Sequence, residues 1–149
     1  MIPGFKIYVS VITCILIFAC SKKCPCEAAN APIQTTKFTS AEVDTVIVRR
    51  FIKHSNFQQL FDTALLSNTN TTYISHGTDT TELGTTDSTG HITSDWDFQV
   101  FIPSTSQTFN ISNIQELKRK GPCGRCVNLI ESYEINGQTY SSGLIYLEK

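Results

Sequence analysis

The segment Asp95–Ile102, with the sequence DWDFQVFI, carries the clearest secondary-structure signal in the chain. Its large apolar residues fall at every second position, the period of a β-strand with one face in a hydrophobic core. These inward positions are Trp96, Phe98, Val100 and Ile102. Asp95 and Asp97 flank the tryptophan, and we expect both to face solvent. A tryptophan between two carboxylates is also compatible with a sugar-binding site.

A hairpin follows further along the chain. Apolar residues alternate again from Val127 to Ile135, and Asn136-Gly137 comes directly after them. Asn-Gly is the strongest short signal for a type I′ hairpin turn, because both central residues need a positive φ. We therefore predict a strand up to Ile135 and a partner strand over Gln138–Leu147, with a bulge or bend at Gly143.

Upstream of the central strand, Val43–Ile52 is rich in β-branched residues and predicts another strand. The segment 57–66 has a different period, because its apolar residues are spaced as on one face of a helix. Ser55 and Gln58 also form a pattern typical of a helical capping box. We predict a short helix here. A pair of strands is the competing interpretation, since aromatic residues and threonine also suit sheets.

The remaining segments are more polar. We expect strands near Thr72–Ser75 and Thr80–Leu83, with turns between them, because a structureless loop over 67–94 would be unusually long for a compact domain. Thr108–Ile111 predicts a further short strand. The basic residues that precede Gly121 favour a helical turn over Ser112–Gly121.

The composition agrees with a β-rich fold. Threonine and serine supply 33 of 149 residues, and charged residues only 17%. Threonine favours exposed strand surfaces. We predict a mainly β fold, a small antiparallel sandwich or barrel of about seven short strands with one short helix over 57–66, preceded by a cleaved signal helix. The formal net charge of -1 argues against a nucleic-acid partner, because nucleic-acid binders normally carry a basic excess.

The first twenty residues have the pattern of a targeting signal. Residues 7–19 form an uncharged apolar run, which is too short to span a bilayer but suits the apolar region of a signal peptide. The run leads into Ile17-Phe18-Ala19-Cys20, which resembles the lipobox of bacterial lipoproteins. The resemblance implies cleavage between Ala19 and Cys20 and lipidation of the Cys20 thiol. An ordinary signal peptide cut elsewhere and an uncleaved anchor are the competing interpretations.

The chain thus resembles the small lipoproteins of Bacteroidota-type envelopes, which implies contact with a membrane through the N-terminal lipid. By the same resemblance, Ser21 after the lipidated cysteine favours the outer membrane, and the basic Lys22-Lys23 favours the side that faces the periplasm. We divide the chain into a lipoprotein signal peptide over 1–19, a lipid-anchored tether over 20–40 and a single β-rich domain over 41–149.

Four cysteines remain once the signal peptide and the lipid site are set aside: Cys24, Cys26, Cys123 and Cys126. Exported proteins meet an oxidising compartment, so the simplest expectation is two disulfide bonds, for which three connectivities exist. Two alternatives stay open. The CPC and CGRC pairs could supply four thiolates to a zinc ion, or the CGRC pair could act as a redox dithiol.

No pattern in the sequence indicates catalysis. We find no nucleophile elbow, no HExxH pattern and no phosphate-binding glycine loop, and His54, His76 and His91 are scattered. We predict a lipid-anchored envelope protein without enzymatic activity, cofactor or bound metal, which acts as a binding or structural accessory domain with a protein partner in the envelope. The alternatives are a thiol-redox or metal-binding lipoprotein that uses the four cysteines, and an inhibitor- or immunity-like protein that binds an enzyme in the periplasm.

Overall fold

A computed structural model describes residues 29–67, 73–76, 80–84, 91–120 and 126–149. The chain divides into two compact units, one made of residues 1–27 and 118–127 and the other of residues 28–117 and 128–149. In the first unit, only the strand segments 118–120 and 126–127 belong to the described residues. The second unit contains the hydrophobic core and most residues of the sheets that are discussed below.

The described part of the chain is built from strands and contains no helix. In chain order the strands are β1 Asn30–Ala31, β2 Ile33–Thr36, β3 Thr45–Ile52, β4 Leu60–Ser67, β5 Tyr73–His76, β6 Thr80–Gly84, β7 Ile92–Thr93, β8 Trp96–Ile102, β9 Gln107–Lys120, β10 Cys126–Ile135, β11 Gln138–Tyr140 and β12 Ile145–Glu148. The predicted mainly β class is confirmed. The strands are more numerous than the seven expected, because several are very short.

The larger sheet has six strands in the order β11-β10-β9-β8-β3-β4. Strand β8 lies inside it and pairs antiparallel with β3 on one side and with β9 on the other. Phe98, Val100 and Ile102 are buried, and Trp96 packs against the core as a partly buried residue. The alternation of apolar residues in β8 therefore identified its inward face correctly.

The second sheet has four strands in the order β12-β2-β6-β5, and a separate ribbon pairs β1 with β7. Strand β2 pairs antiparallel with β6 and parallel with β12. Both larger sheets contribute to one hydrophobic core, with Ile33 and Leu147 from the four-stranded sheet and Val48 and Phe98 from the six-stranded sheet. Two sheets that share one core form a β-sandwich, as predicted.

The helix predicted over 57–66 is wrong. Residues 53–57 form a turn with three positive φ values, at His54, Asn56 and Phe57. A left-handed backbone is incompatible with a right-handed helix. The following strand β4 pairs with β3 and places Leu66 opposite Val46 in the core. Long-range pairing and the burial of Leu66 therefore override the helical spacing of the apolar residues.

The helical turn predicted over Ser112–Gly121 is also wrong within the described residues, because β9 continues to Lys120. Ile114 is buried in the core. The carboxylate of Glu116 accepts a hydrogen bond of 2.6 Å from the backbone N–H of Ala29. These contacts with distant parts of the chain hold the segment extended, although its own composition favours a turn.

The chain enters the sandwich earlier than a tether over 20–40 implies. Ala29 is already buried, and β2 is an interior strand of the four-stranded sheet. Ile33 and Thr35 point inward, while Gln34 and Thr36 are partly exposed. The two-residue period of β2 is difficult to recognise in the sequence, because small and polar residues lie on either side of the strand. Residues 29–36 of the predicted tether therefore belong to the sandwich.

Candidate ligand-binding site

A cleft of about 500 Å³ is lined by residues from β11 and β12, the strands at the edges of the two sheets. Phe109 and Ile135, both buried, supply its apolar surface. The other lining residues are Thr36, Asn136, Gln138, Tyr140, Tyr146 and Glu148. A concave site that combines an apolar surface with a few polar groups has the usual form of a small-ligand site.

The Asn136-Gly137 turn shapes one wall of the cleft. Asn136 has a φ of 50° and Gly137 a φ of 82°, which confirms the left-handed turn predicted for this pair. The backbone N–H of Asn136 donates to the carbonyl of Asn110 at 2.8 Å, and its Oδ1 accepts from the N–H of Asn110 at 2.9 Å. These two bonds hold the turn against β9.

The partner strand predicted over Gln138–Leu147 is divided in two. Strand β11 ends at Tyr140, and after a bend at Gly143 the chain continues as β12, which pairs with β2 in the other sheet. The Tyr133 hydroxyl donates to the carbonyl of Leu144 at 2.8 Å and fixes this crossing. The bend at Gly143 was predicted. The change of sheet was not predicted, because β11 and β12 have the same two-residue strand period.

Two tyrosines present aromatic surface to the cleft. Tyr140 stacks on Tyr133 with ring centroids 5.7 Å apart and an interplanar angle of 13°. Tyr140 and Tyr146 are 37% and 41% exposed, whereas Tyr133 is buried. Burial raises the pKa of the Tyr133 hydroxyl, with a smaller opposing effect from a hydrogen bond with the backbone of Tyr146. The stack therefore rests on a neutral buried phenol and holds Tyr140 as a rigid amphipathic surface.

The charge at the cleft is compensated. Glu148, the carboxylate in the described lining, forms an ion pair with Lys37. The Gln138 side-chain amide and the Tyr140 hydroxyl also belong to the lining residues. The cleft thus offers aromatic faces, polar groups that can donate and accept hydrogen bonds, and little net charge.

A second exposed cluster lies at the β3–β4 side of the six-stranded sheet. Arg50 donates two hydrogen bonds to the Asp62 carboxylate, of which that from Nε to Oδ1 is 2.6 Å long. Phe61 stacks on Trp96 with ring centroids 4.2 Å apart and an interplanar angle of 24°. The Arg50 guanidinium lies 5.6 Å from the Phe61 centroid and 6.0 Å from that of Trp96. One cation therefore serves both an ion pair and two aromatic rings.

The hydrogen bonds between Arg50 and Asp62 shift the pKa of both groups. The bonds from Arg50 lower the pKa of Asp62, and the carboxylate raises the pKa of Arg50. The planar guanidinium matches the carboxylate with two parallel bonds, which is the favoured geometry for such a pair. Charge on both partners is therefore maintained over a wide pH range.

The carboxylates beside Trp96 are placed differently from one another. Asp95 is exposed, as predicted, but Asp97 is buried and its Oδ2 accepts a hydrogen bond of 2.8 Å from the N–H of His54. The expected exposure of Asp97 is wrong because the turn at 53–57 brings the His54 N–H to its carboxylate. Since two exposed carboxylates do not flank the tryptophan, this motif lacks the arrangement that suggested a sugar site.

Most site residues selected from the sequence lie outside the described residues: Ala19, Cys20, Cys24, Cys26 and Cys123. Cys126 is the first residue of β10. Searched over the described ranges, the structure holds no group of three His, Cys, Asp or Glu side chains that could bind a metal ion. Among the same residues, no helix has the length and apolarity needed to cross a membrane.

The basic side chains of Arg49, Arg50 and Lys53 form hydrogen bonds with other parts of the chain. Arg49 Nη1 donates to Oε1 of Gln99 at 2.7 Å, and Lys53 Nζ donates to the carbonyls of Ser94 at 2.9 Å and Ile114 at 3.2 Å. Together with Arg50, these side chains tie neighbouring strands to one another. Their main role is therefore structural.

The cleft residues Tyr140 and Tyr146 were missed by sequence reasoning. They stand on strands of different sheets, and a single hairpin strand was expected to contain both. The signal that could have found them is the run Ser141-Ser142-Gly143 between them, which favours a break in the strand.

The chain matches no known family model, no curated protein and no solved structure.

Proposed function

We propose that this chain is a lipid-anchored binding domain of the bacterial cell envelope, which acts without catalysis and holds its ligand in the cleft at β11 and β12. The lipobox-like sequence Ile17–Cys20 supports the anchor. The observation that carries the binding role is the cleft of about 500 Å³ with Tyr140 and Tyr146 in its lining. A ligand of a few sugar rings or a few residues fits a volume of this order.

The chemistry of the lining favours a neutral ligand with hydroxyl groups. The tyrosine rings offer flat faces to the C–H surface of a sugar ring, and Gln138 and Asn136 carry amides that can bond with hydroxyl groups. Because Lys37 compensates Glu148, a charged ligand gains little here. A neutral oligosaccharide of the envelope is therefore the ligand class that we expect.

Binding is tested with the mature lipidated protein in detergent micelles. A panel of neutral oligosaccharides is titrated, and saturation-transfer NMR detects contact with the tyrosine rings. Tyr140→Ala and Tyr146→Ala should each weaken binding by about tenfold, the usual effect of losing a well-packed aromatic contact of about 1.4 kcal/mol. Phe61→Ala, which removes an exposed aromatic ring at the other side of the six-stranded sheet, is the matched control and should leave binding unchanged.

Two results would contradict the binding proposal. Equal affinity in the wild type and both tyrosine variants would remove the cleft as the site. Binding of one stoichiometric periplasmic enzyme, with no response to any oligosaccharide, would favour the inhibitor-like alternative instead.

The anchor is tested separately by Cys20→Ala. We expect the wild-type protein to float with membranes and to carry a mass increment for its acyl chains, because two or more chains hold a protein firmly to a bilayer. The variant should lose the mass increment for the acyl chains. An unchanged mass and fractionation in the variant would refute lipidation at Cys20.

A further inference from the structure

We propose that Ile52, Leu60, Phe61 and Trp96 form a membrane-contact surface, here called the anchor-side patch, that rests on the bilayer to which Cys20 is anchored. This inference depends on the proposed lipid anchor and adds a second, non-covalent contact to it. The patch would fix the orientation of the domain on the membrane, which a lipid on a tether alone does not do.

The anchor-side patch is apolar and exposed. Ile52, Leu60 and Phe61 are 46%, 54% and 55% exposed, and Ile52 lies directly opposite Trp96 in the β3–β8 pair. Phe61 covers the partly buried Trp96 ring by stacking on it. Because Ile52 and Phe61 both adjoin Trp96, these three side chains form one apolar surface, and exposed apolar surface of this kind on a small domain marks a contact with another phase or molecule. Tryptophan and phenylalanine are side chains that favour the membrane–water boundary.

The charges at the patch suit a bilayer surface. The carboxylate of Asp62 is neutralised by Arg50, whose guanidinium also lies over the Phe61 and Trp96 rings. Lys53 follows Ile52 in the chain and is held by backbone carbonyls. Asp95, beside Trp96, is the exposed acidic group that opposes insertion of this end into the lipid. The patch can therefore reach the headgroup boundary, where Asp95 stays hydrated, but not the hydrocarbon interior.

The position of the tether indicates that the patch contacts the bilayer. The backbone N–H of Ala29, the first described residue, donates to Glu116, and the same carboxylate oxygen accepts from Ser94 Oγ. Ser94 stands two residues before Trp96, and its carbonyl accepts from Lys53, the neighbour of Ile52. The point where the chain enters the sandwich and the anchor-side patch thus belong to one end of the domain.

The length of the tether limits the distance between Ala29 and the bilayer. Nine residues lead from Cys20 to Ala29, and a fully extended chain of that length spans at most about 30 Å. The end of the domain that carries Ala29 is therefore held within about one domain diameter of the bilayer. A patch at that end is therefore at a high effective concentration near the lipid surface. Even a weak affinity for lipid suffices for the patch to bind there.

Trp96 reports the contact directly, because it is the only tryptophan in the chain. The full lipidated protein is reconstituted into phosphatidylcholine vesicles that contain lipids brominated near the top of their acyl chains. Interfacial side chains lie about 5–10 Å into this boundary, so we expect quenching to remove about half of the Trp96 emission and to shift it to the blue. Phe61→Ser with Leu60→Ser should abolish most of this quenching, and Tyr140→Ser, at the other side of the sheet, should not change it.

The readouts separate the two proposals. If the wild-type protein does not float with the vesicles, the lipid anchor fails and the patch proposal falls with it. If the protein floats but brominated lipid leaves Trp96 unquenched, the anchor stands and the patch proposal is overturned. In cells, a photoreactive benzoylphenylalanine in place of Phe61 should cross-link to lipid. A single protein adduct at this position would show that a protein covers the patch and would also overturn the proposal.

Discussion

Arg50 and Asp62 face each other across β3 and β4 and are joined by two hydrogen bonds from the guanidinium to the carboxylate. The pair sits at the irregularity between Arg50 and Phe51, where the register of the two strands shifts. Its bonds therefore tie the two strands together where their regular ladder is interrupted. The same guanidinium also lies over Phe61 and Trp96, so it links the ladder to the anchor-side patch.

Asp62→Asn should lower the free energy of unfolding at neutral pH by about 0.5 kcal/mol, a small effect because both side chains are partly exposed and solvent screens the pair. The pKa of Asp62 is lowered in the folded state. Its contribution is therefore present above the unfolded pKa of about 3.9 and is lost as the pH falls through the lower folded value. Urea unfolding at several pH values between neutral and strongly acidic measures this difference.

A double-mutant cycle supplies the control for this prediction. Arg50→Gln and the double variant should show that the two single effects are not additive, because both remove the same interaction. A wild type and Asp62→Asn variant that differ equally at neutral and strongly acidic pH would contradict the ion-pair origin of the effect.

Gly137→Ala should destabilise the domain by about 1 kcal/mol, since a side chain at a positive φ is strained. Gly137 has a φ of 82°, and an added Cβ meets nothing within 4 Å, so backbone strain alone is tested. Gly143→Ala is the matched control, because its Cβ would meet only the Ile130 carbonyl oxygen at 3.9 Å. Thermal unfolding should leave the control within about 0.5 kcal/mol of the wild type. Equal losses in both variants would refute the turn argument.

Tyr133→Phe should cost about 1 kcal/mol in urea unfolding at neutral pH, because it removes the hydrogen bond to the Leu144 carbonyl and keeps the ring. The ring stack with Tyr140 should persist, so the ring-current shifts of the Tyr140 ring protons in NMR spectra should be retained. A loss of the stack in this variant would show that the hydroxyl, and not ring packing, positions Tyr140.

Tyr133 also predicts an alkaline limit to stability. Burial raises its pKa in the folded state, so its stabilising effect is complete below the unfolded pKa of about 10 and is lost as the pH rises through the folded value. We expect the wild type to lose unfolding free energy in this range faster than Tyr133→Phe does. Parallel pH curves for the two proteins would contradict this assignment.

Cys24, Cys26, Cys123 and Cys126 should be fully oxidised in protein purified from an oxidising compartment. Alkylation followed by intact mass measurement should find no reactive thiol at Cys24, Cys26, Cys123 or Cys126. A bond between the tether pair and the CGRC pair closes a loop of nearly a hundred residues and would stabilise the fold by about 4–5 kcal/mol on the chain-entropy estimate. Reactive thiols, or a mass increment for zinc, would favour the redox or metal alternatives.

Local sequence patterns predicted the strands in which the alternation of apolar and polar residues agrees with the burial of their side chains. Strand β8 was predicted because its alternating apolar residues define an inward face. The Asn136-Gly137 turn was predicted because both residues favour a positive φ. The strand near Thr80–Leu83 was predicted on a different ground, because a structureless loop over 67–94 would be unusually long. These features depend on neighbours in sequence, which a single sequence displays.

Elements that are decided by distant partners were missed. The segment 57–66 carries helical spacing, yet its pairing with β3 decides its structure. Strand β2 was missed because it lies in a polar segment. Its pairing with β6 and β12 is what gives Ile33 an inward face. The cleft was missed for the same reason, because Tyr140 and Tyr146 meet only after the chain changes sheets at Gly143.

The parallel pairing of β2 with β12 has a consequence for the order in which the chain folds during synthesis. Ile33 is matched with Ile145, so β2 lacks this neighbour until residues 145–148 have been synthesised. Contacts between residues so far apart in sequence slow folding, because the long loop between them must close before the contact forms. Since a chain is synthesised from its N-terminus, this side of β2 stays unpaired until β12 has left the ribosome.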